Sequence, residues 1–368
     1  MLNTGVYAIS SDDISAECAT VIELKTGKTL FSKNAKTRHA MASTTKIMTA
    51  IIALENSSLD DIVTMSANAA STEGSSVYLE AGEKIKMSYL VYGLMLNSGN
   101  DAAVAIAEHI SGNVSEFCEK MNNKVKELGL SDTQFKNPNG LFEEGHFTTA
   151  SDLAEITRYA MRNDIFREIV KTKTKTVTLV GSNKELYFGN HNKMLWNYDG
   201  AIGVKTGYTK NTGRCLVSAA EKNGCTLICV TLDAPNDWTD HKTLLDYGFS
   251  NIETRIVVEK DQVIKTAEIN GKLCDFIAER QSVLTLEQGS SKKPVVNVKI
   301  PKKLTGPFEK GEKVGILEVI LDGEVLETID IISKDCVYEK QTTQNIIEKK
   351  EGFFIRLFNF IIKFFLYA

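Results

Sequence analysis

The sequence predicts an α+β protein with a larger N-terminal domain and a smaller, all-β C-terminal domain. Two observations lead to this prediction. Within residues 14–250, strand-like segments lie at both ends and a long helical block lies between them. From Glu253 onward, apolar and polar residues alternate with the two-residue period of a β-strand. A chain of 368 residues, 43% of them hydrophobic, is long enough to form two separate cores.

The elements of the larger domain follow from its apolar runs and its turn residues. Residues 18–31 predict two strands joined by a turn with the letters K-T-G, and a helical block is predicted from Thr44 to about Asn163. A helix over about 237–247 is predicted to close the domain. Between the helical block and this helix, strands are predicted at 175–180, 202–204, 214–220 and 226–232.

The smaller domain, residues 251–336, is predicted to be a small β-sandwich. Residues 295–300 and 313–320 alternate between apolar and polar side chains, as strands with one buried face do. Asp322 and Gly323 stand between two such runs and are typical of a hairpin turn. This part of the sequence has no evident catalytic constellation.

The C-terminal residues 352–368, GFFIRLFNFIIKFFLYA, are predicted to form an amphipathic helix that anchors the protein to a membrane surface. Arg356, Asn359 and Lys363 form one narrow polar stripe on a helix that is otherwise Phe, Ile and Leu. The run is short for a spanning helix and carries charge in its middle, which favours a helix lying in the interface. Docking on the protein's own core, or a dimer contact, is the alternative. The polar residues 337–351 are predicted to be a tether.

At the other end, residues 1–13 are predicted to be the remnant of a signal peptide. Residues 6–8, V-Y-A, fit a cleavage site of small residues, although the basic and long apolar segments of a complete signal do not precede them. The alternative is a disordered cytoplasmic N-terminus.

Composition argues against several classes of protein. The net charge is −4 and no basic stripe is present, so nucleic acid is not an expected partner. Five histidines without an H-E-x-x-H motif, and no C-x-x-C pair, argue against a metal site, and no cofactor is expected. The cysteines are odd in number and their spacings suggest no disulfide framework. Four of them lie in apolar, strand-like runs and are predicted core residues: Cys18, Cys215, Cys225 and Cys229.

Three short motifs, in one order, indicate the chemistry. Residues 43–46 are S-T-T-K, residues 98–100 are S-G-N and residues 205–207 are K-T-G. In this order S-x-x-K, S-x-N and K-T-G are the signature of enzymes that attack amides or β-lactams with a serine. Each motif alone is weak because each occurs again, as K-T-G at 25–27, S-x-N at 66–68 and 111–113, and S-x-x-K at 290–293.

Local context favours the first set over the repeats. Ser43 is predicted to lie at the first turn of a buried helix, and Lys46 follows one turn later on the same face. The S-G-N at 98–100 is a polar corner between two apolar helices, whereas the S-G-N at 111–113 is typical of a helix end. The K-T-G at 205–207 follows a strand-like run. The S-x-x-K at 290–293 lies in a predicted solvated turn, so Ser290 is rejected as the nucleophile.

In these motifs the chain resembles the low-molecular-weight penicillin-binding proteins, specifically the serine-type D-alanyl-D-alanine carboxypeptidases. The resemblance covers most of the chain and includes residues 40–49 (AMASTTKIMT), 96–103 (LNSGNDAA), 137–141 (NPNGL) and 203–209 (GVKTGYT). It implies a penicillin-binding, transpeptidase-like fold, in which an antiparallel sheet is flanked by helices and joined by a helical subdomain. It also implies export to the outer face of the cytoplasmic membrane, and a spacer or contact role for the C-terminal domain.

The resemblance implies a substrate and a role for each catalytic residue. The substrates would be peptidoglycan stem peptides ending in D-Ala-D-Ala, with β-lactams as covalent inhibitors. Ser43 would be the nucleophile and Lys46 the proton acceptor, its pKa lowered by burial and by Lys205. Ser98 would relay a proton to the leaving amine, and Asn100 would hold the peptide carbonyl or orient Lys46.

The third motif and its surroundings would bind the substrate. Lys205 and Thr206 would bind its terminal carboxylate, and Gly207 would let its backbone approach the strand. The backbone N–H groups of Ser43 and Tyr208 would form the oxyanion hole. Arg214 is a further carboxylate-binding candidate.

Four alternatives stay open on the sequence alone. A β-lactamase of class A would need a deacylating Glu, and no Glu-x-x-Leu-Asn lies between Asn100 and Lys205, although Glu143 and Glu144 are in that interval. A DD-endopeptidase, a catalytically silent wall scaffold and a cytoplasmic amidase or esterase are the others.

Overall fold

The structure, a computed structural model, describes residues 9–335. The predicted tether and amphipathic helix lie outside the described residues, as do the first eight residues of the predicted signal-peptide remnant. The chain divides into two compact units. One contains the residues up to Arg255 together with Thr285–Ser290, and the other contains Ile256–Leu284 and the residues from Ser291 onward.

The larger unit combines a sheet, a set of helices and two short ribbons. Its strands are β1 (Cys18–Glu23), β2 (Thr29–Lys33), β3 (Ile62–Thr64), β4 (Lys84–Lys86), β5 (Thr174–Thr178), β6 (Glu185–Gly189), β7 (Ala201–Thr209), β8 (Gly213–Lys222) and β9 (Cys225–Leu232). Its helices are α1 (Lys46–Asn56), α2 (Ala67–Ala70), α3 (Met87–Leu96), α4 (Asn100–Ser111), α5 (Val114–Glu127), α6 (Ala150–Ala160), α7 (Asp164–Lys171), α8 (Met194–Asn197) and α9 (Asp237–Ser250).

The main sheet is antiparallel in the order β2-β1-β9-β8-β7. All eight residues of β9 are buried because both faces of this central strand are covered. Leu227 and Cys229 pack into a core that includes Leu244 and Leu245 of α9, whereas Ile228 and Val230 pack into the core on the helical side. These layers confirm the predicted sheet flanked by helices. β7 is the edge strand, so one of its sides is open to a ligand.

The helical part is built around α1. Residues 46–53 of this helix are all buried, and α1 contacts α3, α4, α5 and α6. The S-G-N corner lies where predicted, since α3 ends at Leu96 and α4 begins at Asn100. Helix α4 ends at Ser111, and Gly112 then has a φ of 79°, which confirms that the second S-G-N is a helix stop. The K-T-G at 25–27 joins β1 to β2, as predicted.

Strand β7 is much longer than the predicted 202–204. The K-T-G at 205–207 was expected at the end of a strand, but β7 continues to Thr209. The reason is the pairing with β8, which runs from Ala201 opposite Ala220 to Thr209 opposite Gly213. The motif is therefore part of the sheet edge rather than of a loop.

The smaller unit is all β, as predicted. Its strands β11 (Val263–Ile269), β12 (Lys272–Ala278), β14 (Val295–Lys299), β15 (Lys313–Leu321) and β16 (Glu324–Ser333) form an antiparallel sheet in the order β11-β12-β16-β15-β14. A separate pair of strands, β10 (Ile252–Val258) and β13 (Ser282–Glu287), has residues in both units. Phe276, Leu317 and Ile331 are among its buried core residues. Asp322 and Gly323 form the turn between β15 and β16, both with positive φ, as a two-residue hairpin requires.

The cysteines with predicted core positions are buried and free. Across residues 9–335, no helix has the length and apolarity needed to cross a bilayer. Within the same residues, no three His, Cys, Asp or Glu side chains are grouped closely enough to hold a metal ion.

Candidate active site

Ser43 lies in a single 3₁₀ turn, Ala42–Thr45, that leads directly into α1. The sequence predicted Ser43 in the first turn of the helix itself, and the structure moves it just before that helix. Lys46, the first residue of α1, remains one turn away. Its Nζ is 2.9 Å from Ser43 Oγ, although the lysine is completely buried and Ser43 is partly exposed.

The amine of Lys46 has two carbonyl neighbours besides the serine. Its Nζ lies 2.7 Å from Asn100 Oδ1 and 2.6 Å from the backbone oxygen of Asn139. Burial lowers the pKa of Lys46 well below its ordinary value, the charge of Lys205 lowers it further, and Asp101 acts in the opposite direction. Burial and the charge of Lys205 therefore both favour the uncharged form of this amine.

The S-G-N corner brings two further side chains to the same place. Ser98 has a φ of 59° and Asn100 opens α4, and both are almost completely buried. Asn100 donates from Nδ2 to the backbone oxygen of Glu73 at 2.7 Å and from its N–H to that of Ser75 at 2.7 Å. Because these bonds fix the backbone and the amide nitrogen of Asn100, its Oδ1 is held towards Lys46.

Strand β7 forms the opposite wall. Lys205 is 1% exposed, its Nζ donates to the backbone oxygen of Thr206 at 3.0 Å, and burial lowers its pKa to about 7. Gly207 lies so close to the turn that contains Ser43 that a Cβ there would be 3.0 Å from the backbone nitrogen of Ser43. The side chain of Tyr208 is exposed. The glycine thus brings the backbone of β7 against that of Ser43.

Arg214 reaches the same wall from β8, where it is paired with Tyr208. Its Nε is 3.0 Å from Oδ1 of the buried Asp237, at the start of α9, and its guanidinium is 5.9 Å from the ring centre of Trp238. Two contacts of different kinds therefore fix the position of the guanidinium.

Together these elements form a cleft of about 350 Å³. Three of the predicted site residues, Lys46, Asn100 and Lys205, are buried. The other six line the cleft: Ser43, Ser98, Thr206, Gly207, Tyr208 and Arg214. The sequence reasoning missed the other lining residues, which are Ser75, His191, Lys193, Asp237 and Trp238.

The missed groups had little signal in the sequence. His191 and Lys193 precede α8 in a segment without a motif, and they reach the cleft only because the chain there runs beside the end of α3. Burial, and then the charge of Lys205, lower the pKa of His191. The Asn139 acceptor is a backbone atom, which no side-chain pattern identifies, although it belongs to the N-P-N-G-L segment that carried part of the resemblance.

The arrangement defines a class of protein. A serine hydroxyl beside a buried amine whose pKa is lowered, with a second serine and a strand edge facing it, is the apparatus of active-site-serine acyl transfer of the S-x-x-K type. Two family models match the chain: "D-alanyl-D-alanine carboxypeptidase" over residues 6–236 and "Penicillin-binding protein 5, C-terminal domain" over residues 253–339. The chain belongs to the D-alanyl-D-alanine carboxypeptidase family, whose members are hydrolases of peptidoglycan metabolism.

Relatives and solved structures agree with this family. The chain is 35% identical to the D-alanyl-D-alanine carboxypeptidase DacF of Bacillus subtilis, over 87% of this chain and 85% of that protein. It is 29% identical to the carboxypeptidase DacC of Escherichia coli, over 96% and 89% respectively. Penicillin-binding protein 5 of Haemophilus influenzae is similar in structure (TM-score 0.64, 28% identity, 91% of this chain and 100% of that one). So is the DD-transpeptidase of Streptomyces K15 (TM-score 0.63, 36% identity, 66% and 100%).

Proposed function

We propose that this chain removes the terminal D-alanine from peptidoglycan stem peptides through an acyl ester on Ser43. One observation carries the assignment of roles, namely the surroundings of the Lys46 amine. An uncharged amine has two N–H groups and one lone pair. Two carbonyl oxygens, those of Asn100 and Asn139, lie 2.7 and 2.6 Å from Nζ and accept its two N–H groups. In the uncharged form the lone pair is left for the third neighbour, the Ser43 hydroxyl, at 2.9 Å, whereas a protonated Lys46 donates its third N–H to the same oxygen.

This arrangement gives Lys46 the role of general base. Ser43 donates its proton to Nζ as its Oγ attacks the carbonyl carbon between the two D-alanines. The developing oxyanion is stabilised by the backbone N–H groups of Ser43 and Tyr208, which the close approach of Gly207 brings together. Losing one such donor typically costs about 10²–10³ in rate.

The leaving amine needs a proton when the tetrahedral intermediate collapses. Ser98 lines the cleft beside the nucleophile and can pass the proton from Lys46 to that amine. Free D-alanine then leaves, and water hydrolyses the acyl ester by the reverse sequence, with Lys46 again accepting a proton. A β-lactam has the same reacting amide, so it acylates Ser43 and is released slowly.

The terminal carboxylate of the substrate is bound at the Thr206 end of the cleft. Lys193 and Arg214 line the cleft with positive charge, Thr206 lines it as well, and the amine of the buried Lys205 is 3.0 Å from the backbone oxygen of Thr206. A planar guanidinium held by Asp237 can form two parallel hydrogen bonds with a carboxylate. We therefore assign Arg214 to recognition of the C-terminus, which makes the enzyme an exopeptidase.

Transfer of the acyl group to an amine, or cleavage of a crosslink, is the second candidate. It is favoured by one observation, the likeness to a structure titled as a DD-transpeptidase. The same Ser43 ester would form, and an amine rather than water would accept the acyl group. Incubation with a second amino acid or peptide as acceptor distinguishes the two, because only a transpeptidase yields the mixed product.

We further propose that the protein is exported and held at the outer face of the cytoplasmic membrane by residues 352–368. The amphipathic pattern supports this, as does a substrate that lies outside the cytoplasm. The full chain is expected to co-sediment with anionic vesicles, and a chain ending at residue 351 is expected to stay in solution. Equal sedimentation of the two would contradict the anchor.

The function itself is tested by D-alanine release from a peptide ending in D-Ala-D-Ala. Wild type and Ser290→Ala, which alters only the second S-x-x-K, are expected to release D-alanine at equal rates. Ser43→Ala is expected to release none. Release by Ser43→Ala at the wild-type rate would exclude this serine, and rapid penicillin hydrolysis by wild type without D-alanine release would indicate a β-lactamase.

A further inference from the structure

Two threonines on one face of the helix that carries Lys46 contact the same distant segment. Thr45 and Thr49 are four residues apart, so they lie one turn apart on the same side. Thr45 Oγ1 is 2.8 Å from Nε2 of His146, and Thr49 donates from Oγ1 to the backbone oxygen of Pro138 at 2.6 Å. All of these groups are buried or belong to buried backbone. The mechanism described above uses none of them.

The hydrogen bonds of His146 determine which of its ring nitrogens carries the proton. Its Nδ1 is 3.0 Å from the backbone N–H of Lys136 and must accept from it. The single proton of a neutral ring is then on Nε2, which donates to Thr45 Oγ1. Burial lowers the pKa of His146 to about 4, so the ring is neutral at physiological pH. The edge of this ring also contacts Phe135, with 5.8 Å between ring centres.

The segment held in this way supplies a neighbour of the catalytic amine. Between Lys136 and His146 the chain forms the N-P-N-G-L loop, and the Asn139 oxygen of that loop is 2.6 Å from Lys46 Nζ. Gly140, at a φ of 89°, packs so tightly on the nucleophile's turn that a Cβ there would be 1.9 Å from the Ala42 oxygen. The backbone of the loop therefore packs directly against the backbone of the turn that contains Ser43.

We infer that His146 is a positioning residue, which acts through Thr45 to keep the Asn139 carbonyl on Lys46 and so keeps the lone pair of that amine on Ser43. The inference rests on the proposed function, because it concerns the same acylation step. The two bonds have separate tasks. The hydrogen bond from Thr49 to the Pro138 oxygen holds the start of the loop against α1. The hydrogen bond between His146 and Thr45 holds the chain after the loop against the turn that contains Ser43. Without the hydrogen bond between His146 and Thr45, the turn can rotate relative to the Asn139 oxygen, and the lone pair of Lys46 is no longer held towards Ser43.

Thr45→Val tests this without changing the size of the side chain, because valine has the shape of threonine but no hydroxyl. Misplacing a catalytic group by about 1 Å can cost on the order of 10² in rate. The second-order rate of acylation by benzylpenicillin is therefore expected to fall by about tenfold to hundredfold in Thr45→Val. Thr45→Ser keeps the hydroxyl and is expected to restore acylation to within about threefold of wild type.

A matched control separates positioning from general stability. Thr20 is a buried threonine of β1 whose hydroxyl donates to the Phe31 oxygen at 2.9 Å, outside the cleft. Thr20→Val removes a bond of the same kind, so its melting temperature is expected to fall as much as that of Thr45→Val while its acylation rate stays at the wild-type value. Acylation of Thr45→Val at the wild-type rate would overturn the inference.

A double substitution tests whether Thr45 and His146 act as one unit. If they act through their shared hydrogen bond, His146→Gln with Thr45→Val is expected to acylate no more slowly than the worse single variant. Multiplied losses would show that His146 acts by another route and would overturn the inference. Wild type in the same experiment separates a failure of the proposed function from a failure of the inference about His146. If wild type forms no acyl-enzyme, the proposed function and the inference are both overturned.

Discussion

Replacing Asn100 by aspartate puts a negative charge against the Lys46 amine with almost no change in shape, and it also removes the Nδ2 donor to the Glu73 oxygen. The Oδ1 atom of Asn100 is 2.7 Å from Lys46 Nζ. At that separation two unit charges attract by about 6 kcal/mol at an effective dielectric constant of about 20. Since about 1.4 kcal/mol corresponds to a factor of ten, this favours the protonated amine by about ten-thousandfold. A protonated Lys46 has no lone pair for the Ser43 proton.

The sign of the effect on the pH profile follows directly. Acylation requires the uncharged amine, so its rate falls on the acid side where Lys46 binds a proton. In Asn100→Asp this acid limb is expected to move to higher pH by about 3 to 4 pH units, because the carboxylate stabilises the charged form. At neutral pH the rate falls accordingly, and part of it returns at alkaline pH.

The assay is the second-order acylation rate with benzylpenicillin, measured from about pH 5 to pH 10. Asn163→Asp is the matched control, because Asn163 caps α7 with Oδ1 and lies outside the cleft. An aspartate can cap the helix equally well, so its profile is expected to match wild type. An acid limb that stays in place in Asn100→Asp would refute the assignment of Lys46 as the base.

Three further predictions concern other parts of the site. Burial lowers the pKa of Lys205 to about 7, so above that pH the unfolded chain binds more protons than the folded one and stability rises towards about pH 10. Lys205→Met is therefore expected to raise the melting temperature by roughly 5 °C at pH 7 and by less at pH 10. An equal gain at the two pH values would contradict a destabilising buried charge on Lys205. Gly140→Ala and Gly82→Ala have nearly the same φ (89° and 88°), but only the former meets backbone atoms. Gly82→Ala is expected to lower the free energy of unfolding by about 1 kcal/mol and to leave acylation intact. Gly140→Ala is expected to lower it several times more and to abolish acylation. Denaturation and the formation of the penicilloyl adduct measure the two effects. Arg214→Met is expected to raise KM for a D-Ala-D-Ala peptide at least about tenfold and to leave a C-terminally amidated analogue unaffected; an equal loss for both would remove Arg214 from carboxylate binding.

The sequence predicted those parts of the protein that local patterns determine. Alternation in the C-terminal region predicted an all-β unit, and the apolar runs predicted a helical block between strands, and both are confirmed. The three-residue spacing of Ser43 and Lys46 places them one turn apart in any helix, so their contact could be foreseen. The roles of the individual site residues stay predictions, which the experiments above address.

Other parts depend on contacts between distant segments and had no local signal. The Asn139 oxygen is a backbone atom delivered by a loop, and His191 and Lys193 come from a segment without a motif. The extension of β7 through the K-T-G to Thr209 depends on its pairing with β8, since Gly207 on its own suggests the end of a strand. The buried Asp237 that holds Arg214 looks, in sequence, like an ordinary acidic residue at the start of a helix.

The most direct test of the central claim is to identify the residue that benzylpenicillin acylates. Wild type and Ser43→Ala are incubated with the antibiotic, their intact masses are measured, and the labelled protein is digested and its peptides are sequenced by mass spectrometry. One penicilloyl group on wild type, located on Ser43 and absent from Ser43→Ala, is the result expected here. A label on another residue, or no label on wild type, would contradict the proposed mechanism.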